Sequence, residues 1–248
     1  MSLLEAALIT GFICCLICVL AYWKKIFELT GLVSAFAVGF IIGTMGHVSW
    51  LFILFVFMVT GFIATKYKFS YKAERGIQEG KKGERTYKSV LATGLVPTVV
   101  AVLNAFPNPY LRAEWTGVLF LTAVGVAAAD TLASELGMLS SKTYLITTLK
   151  PVRPGTDGGI SLFGEVWALC ASAYVAVIGW IILSQFSSTV PNSFSCTLIP
   201  TLGGFLGCQI DSLLGATLER KGFIGKHGVN LASSVLTVGI VWLVLIWL

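Results

Sequence analysis

Eight apolar stretches, residues 3–23, 29–46, 48–65, 89–106, 115–137, 162–184, 195–218 and 229–248, fill most of this chain and leave only short connections between them. A helix of about 20 residues crosses the roughly 30 Å hydrocarbon core of a bilayer, and each stretch meets or approaches that length. Within hydrocarbon a backbone must satisfy its own hydrogen bonds, so such stretches fold as helices rather than as loops or open strands. Composition agrees: 56% of the 248 residues are apolar and 12% are charged, against about 25% charged in soluble domains. The expected fold is all-α, a polytopic membrane protein of about eight transmembrane helices forming one integral membrane domain over residues 1–248. Stretches 29–46 and 48–65 are joined by a tight Gly46-His47 turn and read as a hairpin, or with one of them re-entrant. The first stretch has neither a charged amino-terminal region nor a small-residue cleavage site, which argues against a removable signal peptide.

Orientation follows from the basic residues, because short Lys- and Arg-rich loops stay cytoplasmic. Of the 17 Lys and Arg residues, all but Arg112 fall in the loops after the first, third, fifth and seventh stretches. Eight crossings gather these loops on one face, whereas seven would scatter them. Both termini are therefore expected on the non-cytoplasmic side. Topology and attraction to anionic headgroups account for the net charge of +5, and nucleic acid is not an expected partner. The beginning of the chain does not read as a plastid transit segment, so a prokaryotic plasma membrane is the expected home.

Against this apolar background the acids stand out. Asp130 and Glu135 lie at the end of a run, 117–129, that carries no other charge, and Asp211 and Glu219 repeat the theme near the end of stretch seven. A carboxylate that far into an apolar helix is costly and needs a cation or a polar partner. At about 1.5 Å per residue, Asp130 and Asp211 each lie roughly 10 Å inside the end of their helix, so they could meet at one depth. Asp130 and Glu135 are about 140° apart around a helix, which makes it hard for them to share one ion; Ser134 points with Asp130, and Thr131 with Glu135. Hard oxygen ligands drawn from different helices, with no His or Cys close by, suit Mg²⁺ held partly by substrate phosphates.

The loop after stretch five, Lys150-Pro-Val-Arg153-Pro-Gly155-Thr156-Asp157-Gly158-Gly159-Ile-Ser161, supplies the complementary half of a phosphate site. Its three glycines allow backbone N–H groups to converge on an anion, and Lys150 and Arg153 add charge. It lacks the Gly-Lys-Ser/Thr ending of a Walker loop. Arg85 and Lys88 precede stretch four at a helix amino terminus, a natural anion position. Other features read as structural. Cys14, Cys15, Cys18, Cys170, Cys196 and Cys208 are apolar span residues, and the Gly39-to-Gly43 and Gly203-to-Gly207 segments are seams for close helix packing. His227, beside Asn230, is read chiefly as a loop residue.

Taken together, Gly83-Glu-Arg85-Thr, Gly94-Leu-Val-Pro97-Thr98, Ala129-Asp130-Thr131-Leu-Ala-Ser134-Glu135-Leu-Gly137, Gly155-Thr156-Asp157-Gly158-Gly159, Asp211-Ser212-Leu-Leu-Gly215 and Val229-Asn230-Leu-Ala-Ser233-Ser234 resemble, in order and spacing, the family that contains transmembrane protein 19 and the plant phytyl-phosphate kinase of vitamin E synthesis. The resemblance is strongest over residues 83–234. That family is more distantly similar to dolichol kinase and the CDP-diacylglycerol synthases. What the resemblance implies is a CTP-dependent isoprenyl-phosphate kinase, converting phytyl or geranylgeranyl monophosphate to the diphosphate at the cytoplasmic membrane face. On this view Asp130 and Asp211 bind Mg²⁺, with Glu135 and Asn230 beside them; Lys150, Arg153 and the Gly155–Gly159 backbone hold the triphosphate. Arg85 holds one further phosphate, and Thr131, Ser134, Thr156, Asp157 and Ser212 complete a polar site. The expected partners are CTP or another nucleoside triphosphate, an isoprenyl monophosphate and the membrane, with a homo-oligomer admitted. Two rivals share these residues: a cytidylyltransferase that makes a CDP-lipid, and a lipid or ion transporter. Transporters tend to hold their sites near the midplane, whereas these acids cluster toward one face.

Overall fold

The computed structural model describes residues 2–78, 80, 82–106, 113–186 and 193–247; Lys81, Tyr110 and Arg112 lie outside them. The helices are α1 (Leu3–Trp23), α2 (Leu29–Ile41, prolonged by a π-turn, Ile42–Gly46), α3 (Trp50–Lys66), a short α4 (Phe69–Glu74), α5 (Tyr87–Ala105), α6 (Ala113–Gly137), α7 (Leu162–Phe186), α8 (Ser193–Leu214, prolonged by a π-turn, Gly215–Glu219) and α9 (Lys226–Trp247). Seven of the described helices are long and apolar enough to cross a membrane, and α3, equally apolar, has 17 residues. Many hydroxyls inside the spans are satisfied along their own helices, whereas those of Thr10, Thr44 and Ser234 are buried with no hydrogen-bond partner among the described residues. Thr60, Thr98, Thr122, Ser172 and Thr237 each donate to the carbonyl four residues back. This lets polar residues occupy spans without an exposed donor in hydrocarbon.

Helix α6 is the axis of the bundle. Residues 118–129 are all buried, and α3, α5, α7, α8 and α9 pack around it. Its most apolar window is 83% buried, against 17–50% for the other spans, so α6 faces protein on every side while its neighbours keep a lipid-facing side. Small residues permit this approach. A Cβ at Gly204 would stand 2.9 Å from the Gly125 backbone, and one at Gly207 2.4 Å from Val126. The Gly203-to-Gly207 segment is thus a packing seam, as read from the sequence, and Gly39 and Gly43 pack on Cys14 and Thr10 in the same way. None of the six cysteines, all among the described residues, is in a disulfide.

Cross-contacts between connections fix which ones share an end of the bundle. Arg85 pairs with the α1–α2 connection through Phe27, Gly155 abuts Ile77 after α4, and Gly158 abuts Ala216 at the end of α8. The four basic connections therefore meet at one end. At the opposite end Asn104 donates to Gly46, and His47 lies 6.0 Å from the Phe186 ring. The alternation expected of eight crossings is present. One element departs from a purely helical reading: the α6–α7 connection forms a three-stranded antiparallel sheet, β1 (Thr143–Leu145), β2 (Pro151–Val152) and β3 (Gly159–Ile160), in the order β2-β1-β3. Strands of two or three residues carry no alternation that a sequence reading can detect.

Candidate functional site

The basic end of the bundle opens into a cleft of about 250 Å³ between α6, α7, α8, α9 and the sheet. Asp130 enters it from α6 and Asp211 from α8, and their carboxyl groups come within hydrogen-bonding reach of each other. Two carboxyls this close repel unless a proton or a cation lies between them. Each is oriented from α9: Asn230 Nδ2 donates to Asp130 Oδ2 at 2.8 Å, and Ser233 Oγ donates to Asp211 Oδ2 at 3.0 Å. Three residues of spacing put Asn230 and Ser233 on one face of α9, which turns toward α6 and α8. The meeting of the two acids at one depth is as expected.

Glycines, hydroxyls and helix amino termini line the rest of the cleft. Gly155, Thr156, Asp157, Gly158 and Gly159 line it from the loop, and Ser134, Ser212 and Glu219 from α6 and the end of α8. Ser161 caps α7, accepting from Gly164 N at 3.1 Å, so the α7 amino terminus faces the cleft together with that of α9 at Lys226. Such termini carry partial positive charge and unpaired N–H groups, suited to anions. Thr143 Oγ1, buried at the cleft wall, has no hydrogen-bond partner among the described residues. A smaller polar pocket continues the cleft past Asp130 and Asn230 to Arg85, Ser89, Thr93 and His227.

Several expected residues sit differently. Lys150 and Arg153, on either side of β2, are exposed and do not belong to the cleft lining; among the described residues Lys226 lines the cleft, and Arg85 and His227 line the smaller pocket. Glu135, expected beside the ion, reaches the smaller pocket but not the main cleft, and its carboxylate is already matched within the protein. Its Oε2 accepts from Lys72 Nζ at 2.6 Å, and its Oε1 accepts from Thr65 at 3.0 Å. Thr131 is buried beside Gly61 and Arg85 rather than in the main cleft. Gly158 has φ +71°, and a Cβ there would fall 2.4 Å from Ala216, so this glycine is required by the docking of the loop on α8. Glu165, held by Gln209 at 2.7 Å, and Lys226 also line the cleft; neither is among the site residues expected from the sequence.

The donor set bears on magnesium. Among the described residues no three His, Cys, Asp or Glu side chains are placed to hold a metal ion. Two oriented carboxyls fit an ion that takes its remaining positions from phosphate oxygens and water, the usual habit of Mg²⁺.

Fold and site together define a helical integral membrane protein with a paired-carboxylate cleft at one end of its bundle. The chain belongs to the family of integral membrane proteins DUF92, whose model it matches over residues 12–243, the transmembrane protein 19-like family its motifs resemble. It is 31% identical over 224 residues to an uncharacterized membrane protein of Methanocaldococcus jannaschii, spanning 89% of this chain and 87% of that one. Two Arabidopsis thaliana relatives are protein PGR, 30% identical over 231 residues (84% and 80% of the two chains), and protein VTE6, chloroplastic, 32% identical over 200 residues (77% and 58%). No solved structure matches the chain.

Proposed function

We propose that this protein is a CTP-dependent kinase of isoprenyl monophosphates, with Mg²⁺ as its metal. The observation that carries the reading is the meeting of Asp130 and Asp211 in a cleft walled by the Gly155–Gly159 loop and helix amino termini. The relationship to VTE6 supports it, because the motifs resemble a family that includes a phytyl-phosphate kinase. In the reaction a phosphate oxygen of the lipid attacks the γ-phosphorus of the nucleotide and the bond from that phosphorus to the β–γ bridging oxygen breaks. The products are the isoprenyl diphosphate and CDP.

Such a transfer needs charge neutralisation and alignment more than covalent help from the protein. A phosphate monoester is already anionic and nucleophilic, so no separate base is required. A bound magnesium ion would supply charge neutralisation between the phosphates, held by Asp130 and Asp211. Asn230 and Ser233 fix the directions of those carboxyls, and Lys226 and the loop backbone would receive phosphate oxygens. The test is incubation of the purified, vesicle-reconstituted protein with Mg²⁺, each nucleoside triphosphate and farnesyl, geranylgeranyl or phytyl monophosphate. Isoprenyl diphosphate and CDP are the expected products. Release of inorganic diphosphate with a CDP-lipid would replace this reading with a cytidylyltransferase, and no product from any pair would end it.

A further inference from the structure

A second cavity lies deeper in the bundle, between α1, α2, α3, α5 and α6, with Ile17, Ala35, Leu54, Met58, Pro97 and Val124 on its walls. Its lining is almost wholly apolar, with one charged residue, Arg85. Arg85 and Thr93 also line the small polar pocket that holds Asp130 and Asn230. The two residues thus form the partition between an oily chamber and the carboxylate cleft.

Arg85 is held firmly in that partition. Its N–H donates to Ile26 O at 2.9 Å, and its carbonyl accepts from Glu28 N at 3.1 Å. Its guanidinium lies 5.8 Å from the Phe57 ring centre, in space left by Gly61, where a Cβ would come within 3.2 Å of it. Among the described residues no carboxylate lies within 4.0 Å of this half-buried cation; of the two acids that share its pocket, Asp130 and Glu135, the second is already paired with Lys72. A charge removed from water is costly until an opposite charge meets it, and a guanidinium matches phosphate oxygens in pairs. An anion at Arg85 that continued into the chamber would have to be apolar beyond its head. The groove between α5 and α9, lined by Leu95, Leu119, Val235 and Trp242, is also apolar but has no charged residue in its wall; it suits ordinary bilayer lipid.

We infer that Arg85 holds the phosphate of the acceptor lipid, and that the chamber between α1, α2, α3 and α5 takes the head-proximal isoprene units of its tail. This rests on the reading of the protein as a kinase of lipid monophosphates. It assigns the two anionic reactants to different walls: the nucleotide to the glycine-loop cleft, the lipid to Arg85, with Asp130 between them.

The test uses the full chain in phosphatidylcholine vesicles and a diazirine-tagged farnesyl monophosphate, with cross-linked residues mapped by mass spectrometry. Labels are expected on chamber residues of α2, α3 and α5, and geranylgeranyl monophosphate should displace the probe far better than geranylgeraniol. Arg85→Met should weaken displacement by the phosphate at least tenfold and leave that by the alcohol unchanged, with Arg85→Lys intermediate. Ala35→Trp should block labelling while CTP binding and thermal stability persist, and Gly239→Trp, in the α5–α9 groove, should not. Labels confined to the α5–α9 groove, or parental affinity in Arg85→Met, would overturn the lipid site and leave the kinase reading standing. Chamber labelling that depends on Arg85, with no diphosphate formed from any nucleotide, would instead refute the kinase and leave the lipid site in place.

Discussion

Removing either partner of the Lys72–Glu135 pair should destabilise the protein strongly, and removing both should cost less than the sum. Lys72 is fully buried and its side chain spends its donors on Ala64 O at 2.8 Å, Thr65 O at 3.3 Å and Glu135 Oε2 at 2.6 Å. The side chain of Glu135 is 7% exposed. Lys72→Met leaves a buried carboxylate with only the Thr65 hydroxyl, and Glu135→Leu leaves a buried ammonium with only two carbonyls. Breaking a buried pair from one side costs about 3–5 kcal/mol, because the surviving charge stays desolvated. For a chain of this size that corresponds to a fall in Tm of roughly 6–20 °C. The double variant Lys72→Met/Glu135→Leu buries no orphan charge and should recover much of the loss. Tryptophan-fluorescence melts of the parent, the two singles and the double in one detergent give the coupling directly. A Mg²⁺ titration of turnover in Glu135→Gln adds a second readout, since the structure gives Glu135 a lysine instead of a metal and the Mg²⁺ dependence should not move. Additive losses in the melts, or a large shift in the Mg²⁺ requirement of Glu135→Gln, would refute the assignment.

Asp130→Asn and Asp211→Asn should each reduce turnover by orders of magnitude in a folded protein, with the double variant hardly worse than either, because the two carboxyls act as one unit; independent, modest losses would separate them. Gly158→Ala should lower the melting temperature, since a positive φ costs a side chain about 1–3 kcal/mol and its Cβ would strike Ala216; an unchanged melt would return this glycine to a purely ligand-facing role. In a cysteine-free background, single cysteines at Ser2 and Trp247 should label from one side of the membrane and one at Lys82 from the other, whereas Trp247 labelling together with Lys82 would mean an odd number of crossings.

The apolar stretches marked the helices to within a few residues because hydrocarbon leaves the backbone no alternative to intrahelical bonding. The meeting of Asp130 and Asp211 was legible from depth alone, since each lies about the same distance inside a helix that ends on the same face. What was hidden depends on contacts between distant parts of the chain. Lys72 reads as one more loop cation, and nothing in its neighbourhood announces a partner 63 residues away. Gly158 reads as a phosphate-loop glycine until Ala216 is seen against it. Lys150 and Arg153 flank β2, exposed and outside the cleft lining, and the pairing of Tyr144 with Pro151 that forms this sheet is a register that the sequence does not encode in any alternation of residue types.

The two acids of α6 meet very different surroundings. Five residues apart, Asp130 and Glu135 point about 140° away from each other, so each meets a different set of neighbours. Toward α3 and α4, Glu135 finds a lysine and a hydroxyl that occupy both of its oxygens; its charge is matched inside the protein, and the pair ties α4 to the central helix. Toward α8 and α9, Asp130 finds a second acid, and the amide of Asn230 and the hydroxyl of Ser233 set the directions of the two carboxyls without adding positive charge. A lysine removes the demand for a cation, whereas a second acid increases it. The Lys72 anchor also holds the segment after α4 close to the cleft, where Ile77 packs against Gly155 of the glycine loop. Glu135 therefore supports the wall of the cleft that Asp130 and Asp211 enter, and a variant of the Lys72 pair that still folds should report first in the geometry of that loop.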